Sequence, residues 1–260
     1  MEDLIKSDVV AIVSVIGLMG ITIGLSAWEK LGLELNLVLA TGRTILQLAV
    51  LGYVLEFIFA LNNFWAVLAI LAIMLTIAAI VIRNRITQKI PQMFPLVWGS
   101  IFVSTAMTLF YVNVLILQPD RWYEPRYMVP LGGMLLGNAM NAAAIAGERL
   151  VSSINNSQIE IETHLSLGAT PQQAVTQYRQ DAIRAGFIPT INQMMIIGMA
   201  TLPGIMTGQI LSGVNPRAAA SNQILLMFMV AFANLLTTLL VTRGLCGQFF
   251  NADAQIVSKM

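Results

Sequence analysis

Between Asn192 and Gln209 an apolar stretch carries Asn192, Gln193, Met194, Met195, Met199, Met206 and Gln209, with Pro203 and Gly204 among them. Amides donate and accept hydrogen bonds without carrying charge, and thioethers bind soft ions such as Cu(I). A proline breaks the helical ladder, and the carbonyls it frees are tolerated in lipid only against protein or a water-filled path. Such residues can line a passage. Methionine also serves as a flexible gap-filler, and that reading stands beside the first. Arg43 and Gln47 form a second polar pair, one helical turn apart in another apolar stretch. Either they face a helix-bundle interior, bonded to Asn138 or Asn141, or Arg43 snorkels to the interface. Asn138 and Asn141 also read as interhelical packing glue. The candidate pathway is thus Arg43, Gln47, Asn192, Gln193, Met195, Met199, Met206 and Gln209.

None of these residues makes a nucleophile–base or paired-carboxylate constellation, so no catalysis is expected of this chain. His164 is the only histidine and Cys246 the only cysteine, which leaves no zinc-type cluster and no internal disulfide. The sequence contains no G-x-x-x-x-G-K-[ST] run and no Gly-Lys pair, so no ATP-binding P-loop is expected either.

Hydrophobic residues make up 57% of the 260 residues and charged residues 10%. Ordinary soluble domains carry about 25% charged residues. Mean hydropathy is +0.77, which places the chain in the membrane class. A net charge of +1 gives nucleic acid no electrostatic foothold.

A membrane-crossing helix needs about 20 mainly apolar residues. Seven stretches qualify: 9–27, 37–60, 64–82, 96–117, 128–146, 190–211 and 222–242, the second interrupted only by Arg43 and Glu56. The predicted fold is an all-α polytopic membrane protein of seven spans forming a single transmembrane domain over 1–260. The opening MEDLIKSD is acidic and no small-residue cleavage site follows it, so the first span is expected to be retained. With the N-terminus outside, the inner segments hold Lys30, Arg83, Arg85, Lys89, Arg149, Arg179, Arg184, Arg243 and Lys259. The outer segments hold Lys6, Arg121, Arg126 and Arg217. This asymmetry predicts a cytoplasmic C-terminus and a cytoplasmic segment 148–188 between spans five and six.

That segment is polar and shaped. Gly168 suits the left-handed residue after a helix. Thr170 then reads as an N-cap, Pro171 as the first helical residue, and Gln173 as the returning partner of a capping box. Ala174, Val175, Tyr178, Ala182 and Ala185 follow at helical spacing, and Pro189 stops the helix or kinks its entry into the next span. The segment is therefore predicted as a helix–turn–helix. It either lies on the headgroups as an interfacial linker or docks a soluble partner. Its mixed, rather than basic, polar face suits a protein groove.

The run Glu162-x5-Gly168-Ala169-Thr170-Pro171, a helix, and Ile188-Pro189 resemble the cytoplasmic coupling motif of ABC-transporter permeases. The gap from Gly168 to the closing proline is longer than in typical importers. RTILQLAVLGYVL (43–55), PLGGMLLGNAMNAAAIAGERL (130–150), LSLGATPQQA (165–174) and IPTINQMMIIGMATLPGIMTGQILSG (188–213) together resemble the Fet-type (FetB-like) permease family. Bacterial members of that family are described as iron-export permeases, and its plant relatives as aluminium-tolerance half-transporters.

The resemblance implies a homodimeric permease in the inner or plasma membrane, paired with a separate ABC ATPase subunit that holds ATP and Mg. Coupling to it would run through Glu162, Gly168, Ala169, Thr170, Pro171 and Gln173. The side chains themselves do not specify iron, because Fe(II) sites more often use imidazole and carboxylate. The alternative is an ion-driven secondary transporter or channel without an ATPase. That alternative calls for acidic or histidine residues at mid-membrane, and Glu56 and Glu148 lie near span ends instead.

Overall fold

The computed structural model describes residues 16–61, 63–86, 92–118, 123–251 and Gln255. Residues 9–15 of the first expected span lie outside them, as do Lys6, Lys89, Arg121 and Lys259. The described residues are helical, with no strand among them and one isolated bridge between Ile197 and Thr201. The chain divides into two compact units, 1–61 and 62–260.

The first unit holds α1 (Ile16–Trp28) and α2 (Glu34–Leu61). Lys30 and Gly32 take left-handed conformations at the turn between them, and the Ser26 hydroxyl donates to the Glu34 carboxylate at 3.1 Å. α2 is apolar on all faces, the pattern of a helix solvated by hydrocarbon.

The second unit contains α3 (Phe64–Ile86), α4 (Met93–Val112, extended by a π-helical turn to Leu117), α5 (Pro125–Asn156), α6 (Gln158–Ser166), α7 (Pro171–Ala174), α8 (Thr176–Ile196), α9 (Gly204–Leu211) and α10 (Pro216–Gln248). Five helices of the described chain are long and apolar enough to cross a membrane: α2, α3, Met93–Ile116, α5 and α10. The chain is a multi-pass membrane protein. The described part of α1, Ile16–Trp28, is apolar.

The expected sixth span is not one helix. α8 starts in the polar segment and runs unbroken through Pro189 to Ile196, so this proline does not stop it. The chain then leaves helical geometry between Ile197 and Pro203 and resumes as α9. Gly198 at φ +79° and Pro203 as the N-cap of α9 make that break.

α5 is the hub, packing against α3, α8 and α10, while α10 also meets α4, α8 and α9. Its buried Ala139, Ala142, Ala143, Ala144, Ala146 and Gly147 let neighbouring backbones approach. Lipid supplies no hydrophobic drive between helices, so close packing and interhelical hydrogen bonds hold them instead. Gly186 of α8 is where a glycine lies closest against a neighbouring helix backbone. A β-carbon there would lie 2.6 Å from the Ala142 carbonyl oxygen and 2.8 Å from the Ala146 methyl. One turn further on, Thr190 accepts a 2.8 Å hydrogen bond from the buried Asn234 amide of α10. Ser104 of α4 bonds Thr237 of α10, and Thr237 and Thr242 also donate to carbonyls of their own helix.

Two apolar clusters mark the ends of this bundle. One gathers Ile86, Met93, Leu150, Ile154, Ile161, Val175, Leu245 and Phe249, from the end of α3, the start of α4, the end of α5, α6, the α7–α8 junction and the end of α10. The other gathers Val112 and Leu226 with their neighbours, from the end of α4, the middle of α5 and the first half of α10. Arg85 and Glu148 bridge α3 to α5 at 3.4 Å near the first cluster.

Replacing Gly186 by Leu should cost about 1–3 kcal/mol or more by overpacking. Thermal unfolding in detergent should show a fall of several degrees. Gly99→Ala, where a β-carbon meets nothing within 4 Å, should leave the midpoint unchanged or slightly raised.

Candidate functional site: a capped turn and an uncharged pocket

α8 joins two features at its opposite ends. Before it, α6 closes with the Gly168 N–H donating to the Leu165 carbonyl and the Ala169 N–H to the His164 carbonyl, both at 3.0 Å. Gly168 sits at φ +92°, so this is a full left-handed helix stop. The chain turns at once into α7. Thr170 Oγ1 accepts from the Gln173 N–H at 3.3 Å, Gln173 Oε1 accepts from the Thr170 N–H at 2.9 Å, and Pro171 occupies the first helical position. Gly168, Thr170, Pro171 and Gln173 therefore take the local roles their sequence predicts. Ala169 belongs to the same turn and is half-buried, whereas Glu162 lies in the middle of α6 and is exposed.

The expected docking helix over 172–186 is divided. α7 ends at Ala174, Val175 leaves helical geometry at φ −106°, and α8 starts anew at Thr176. The apolar stripe predicted for it faces its own protein. Val175 is 1% and Ala182 0% exposed, both within the end cluster. Tyr178, beside that cluster, donates to a Glu160 oxygen at 2.7 Å and ties α8 back to α6. Burial first, and then the Glu160 carboxylate, push the Tyr178 phenol above its ordinary range, so it remains a donor at neutral pH. Outward at the turn stand the polar Ser166, Thr170, Gln172 and Gln173 together with Leu167, which is 81% exposed, and Ile159 of α6 is 83% exposed.

Beyond the other end of α8 lies the break. The N–H groups of Ile197, Gly198, Met199, Ala200 and Thr201 all find nearby backbone carbonyls, those of Gln193, Thr201 and Ile196. A non-helical segment so satisfied is tolerable at membrane depth. Beside it, between α5, α8, α9 and α10, is a pocket of about 210 Å³. Asn138, Gln193 and Gln223 bring amides to it and Met134 and Met227 bring thioethers, with Gly204 at the edge of the break. The Asn138 amide donates to the Met134 carbonyl at 2.8 Å. Gln223 is buried, and its Oε1 has no hydrogen-bond partner.

Of the residues expected to line a pathway, Gln193 reaches this pocket. Met206 and Gln209 lie half-buried on α9, with Gln209 Oε1 buried and unpaired. Asn192, Met195 and Met199 point outward, Met199 being 84% exposed. Arg43 and Gln47 are exposed on α2, in the other unit. Asn138, read from sequence as packing glue or a partner of Arg43, is a wall of the pocket, whereas Asn141 is exposed. Met134, Gln223 and Met227 were not singled out by sequence reasoning. A lone glutamine two turns into an apolar helix was the available signal for Gln223. Among the described residues no group of three or more His, Cys, Asp or Glu side chains is placed to hold a metal ion.

A family model described as "Uncharacterised protein family (UPF0014)" matches residues 9–250. The chain is 51% identical to the UPF0014 membrane protein slr1647 of Synechocystis sp., over 98% of each chain. It is 34% identical to the "Probable iron export permease protein FetB" of Escherichia coli, covering 91% of this chain and 90% of that one. It is likewise 34% identical to "Protein ALUMINUM SENSITIVE 3" of Arabidopsis thaliana, covering 89% of this chain and 84% of that one. No solved structure gives a significant match. With nearly its whole length matched by the family model and by these relatives, the chain belongs to the UPF0014 family.

Proposed function

We propose that this chain is the permease subunit of an ABC transporter, working as a homodimer in the inner or plasma membrane and exporting metal ions such as iron. A separate ABC ATPase subunit, holding ATP and Mg, supplies the energy. The observation that carries this reading is the capped turn from Gly168 to Gln173, joined to α8, which runs between α5 and α10 toward the uncharged pocket. The ATPase docks at the turn, and its movement passes along α8 to the break at 197–203.

Several features support the arrangement. The turn is stiffened by reciprocal caps on both sides, and it presents Leu167 outward for a partner's groove. Arg83, Arg85, Arg149, Arg179, Arg184 and Arg243 belong to segments at the bundle end that carries the turn, while Arg126 and Arg217 begin helices at the other. That distribution favours a cytoplasmic turn, with the N-terminus outside and the C-terminus inside. The permease role and the iron cargo follow the 34% identical iron-export permease. Ion-driven transport without an ATPase is the less favoured reading, since no ionisable side chain lines the pocket among the described residues.

Copurification with the proposed ABC ATPase subunit tests the docking. Gly168→Trp forces a side chain into the left-handed region at about 1–2 kcal/mol, and Thr170→Ala removes a cap worth about 1 kcal/mol. Each should weaken the complex roughly tenfold, in line with about 1.4 kcal/mol, while membrane levels of the permease hold. An undiminished complex with both variants rejects the docking assignment. Tyr178→Phe, which unties α8 from α6, should lower ATP turnover by the complex without abolishing assembly.

A further inference from the structure

The pocket beside the break has a composition that constrains the form of what it accepts. Its polar groups are the amides of Asn138, Gln193 and Gln223, and its soft groups are the thioethers of Met134 and Met227. No carboxylate, imidazole or thiolate lines it among the described residues. A divalent cation stripped of water here would lose its hydration and gain no opposing charge, an expensive exchange in a low-dielectric interior. Thioethers do not repay it for iron, because they prefer softer ions.

Gln223 adds a directional demand. It lines the pocket, is 8% exposed, and its Oε1 is enclosed without a hydrogen-bond partner. A buried amide carbonyl left in that state is costly, and a turn of the Gln223 side chain into the pocket would let a ligand N–H or O–H satisfy it. Size points the same way. A volume of about 210 Å³ equals roughly seven waters at about 30 Å³ each, far beyond a bare ion and enough for a metal with small ligands around it. The pocket is a half-open cleft beside α10 residues 223–230, which at about 1.5 Å per residue is roughly 10–20 Å along that helix from Pro216.

We infer that the pocket takes its metal as a small, uncharged chelate that donates a hydrogen bond to Gln223, and not as a free divalent ion. This rests on the metal-export reading above and names the form of cargo at that site. The amides read the chelate's donors, and the thioethers and neighbouring aliphatic side chains meet its apolar edges.

The test is calorimetric titration of the detergent-purified chain with ferrous sulfate under reducing conditions, with a Cu(I) acetonitrile complex, and with the neutral tris(acetohydroxamate) complex of Fe(III). The chelate should bind at least about tenfold more tightly than either ion. Gln223→Leu should lose about tenfold of that affinity with an unchanged melting midpoint, and Gln223→Met carries the same test should the leucine variant fold poorly. Gln223→Glu, which supplies a charge, should shift the preference toward Fe(II). Tighter binding of either free ion by the unaltered chain, or chelate affinity indifferent to Gln223, overturns the inference. In proteoliposomes with the ATPase, ATP-driven movement of ferrous salt insensitive to Gln223→Leu would overturn it while leaving metal export standing. Movement of iron in neither form would instead overturn the export reading.

Discussion

The rest of the second unit depends on the place where α8 crosses α5 without a side chain between them. At Gly186 a single added carbon would press on the Ala142 carbonyl, the Ala146 methyl and, at 3.2 Å, Thr238. That closeness lets α8 pack between the hub helix and α10, where the Asn234–Thr190 hydrogen bond pins it. Helices in lipid hold together by dispersion and polar contacts, since the tails outside are as apolar as the side chains inside. Gly186 and Thr190, at adjacent turns of α8 and the latter bonded by Asn234 of α10, therefore fix a helix that leucines alone would leave free to slide.

α8, held at Gly186 and Thr190, connects two features at its opposite ends. At one end the caps around Thr170 leave few unpaired backbone groups to fray. At the other, the five consecutive N–H groups from Ile197 to Thr201 are bonded to the last carbonyls of α8 and, for Gly198, to Thr201 within the break. The break is thus a built feature of the fold, and Gly198 and Pro203 set its place. The pocket gathers where the helical ladder is interrupted, between α5, α8, α9 and α10. Gln209 and Gln223 each keep a buried, unpaired carbonyl near this region, a cost that a packed structural core does not usually carry.

What the sequence disclosed and what it concealed follow from the range of the interactions. The stop at Gly168 and the capping box at Thr170–Gln173 are chemistry among residues within a few positions of one another, and both were legible. Apolar length located α2, α3, α4, α5 and α10, though α5 and α10 extend well beyond their apolar centres. Pro189 was misleading, because a proline inside a helix held by neighbours on two sides is tolerated. The stripe through Val175 and Ala182 was correctly apolar, but periodicity does not say what it meets, and it meets its own bundle. Gln223, Met134 and Met227 became neighbours of Gln193 through the packing of α5, α8, α9 and α10, which no local pattern encodes.

The central claim is that the turn at 168–173 and the break at 197–203 move as parts of one linkage through α8. Cys246 is the only cysteine, so its removal leaves a background for paired spin labels at Gln172 and Thr207, each measured against a reference label at Thr76 on α3. With the ATPase bound, cycling between nucleotide-free and ATP-trapped states is predicted to change both distances together, and Gly186→Leu to uncouple them. A label at Gln172 that moves while Thr207 stays fixed in the unaltered chain would contradict the account.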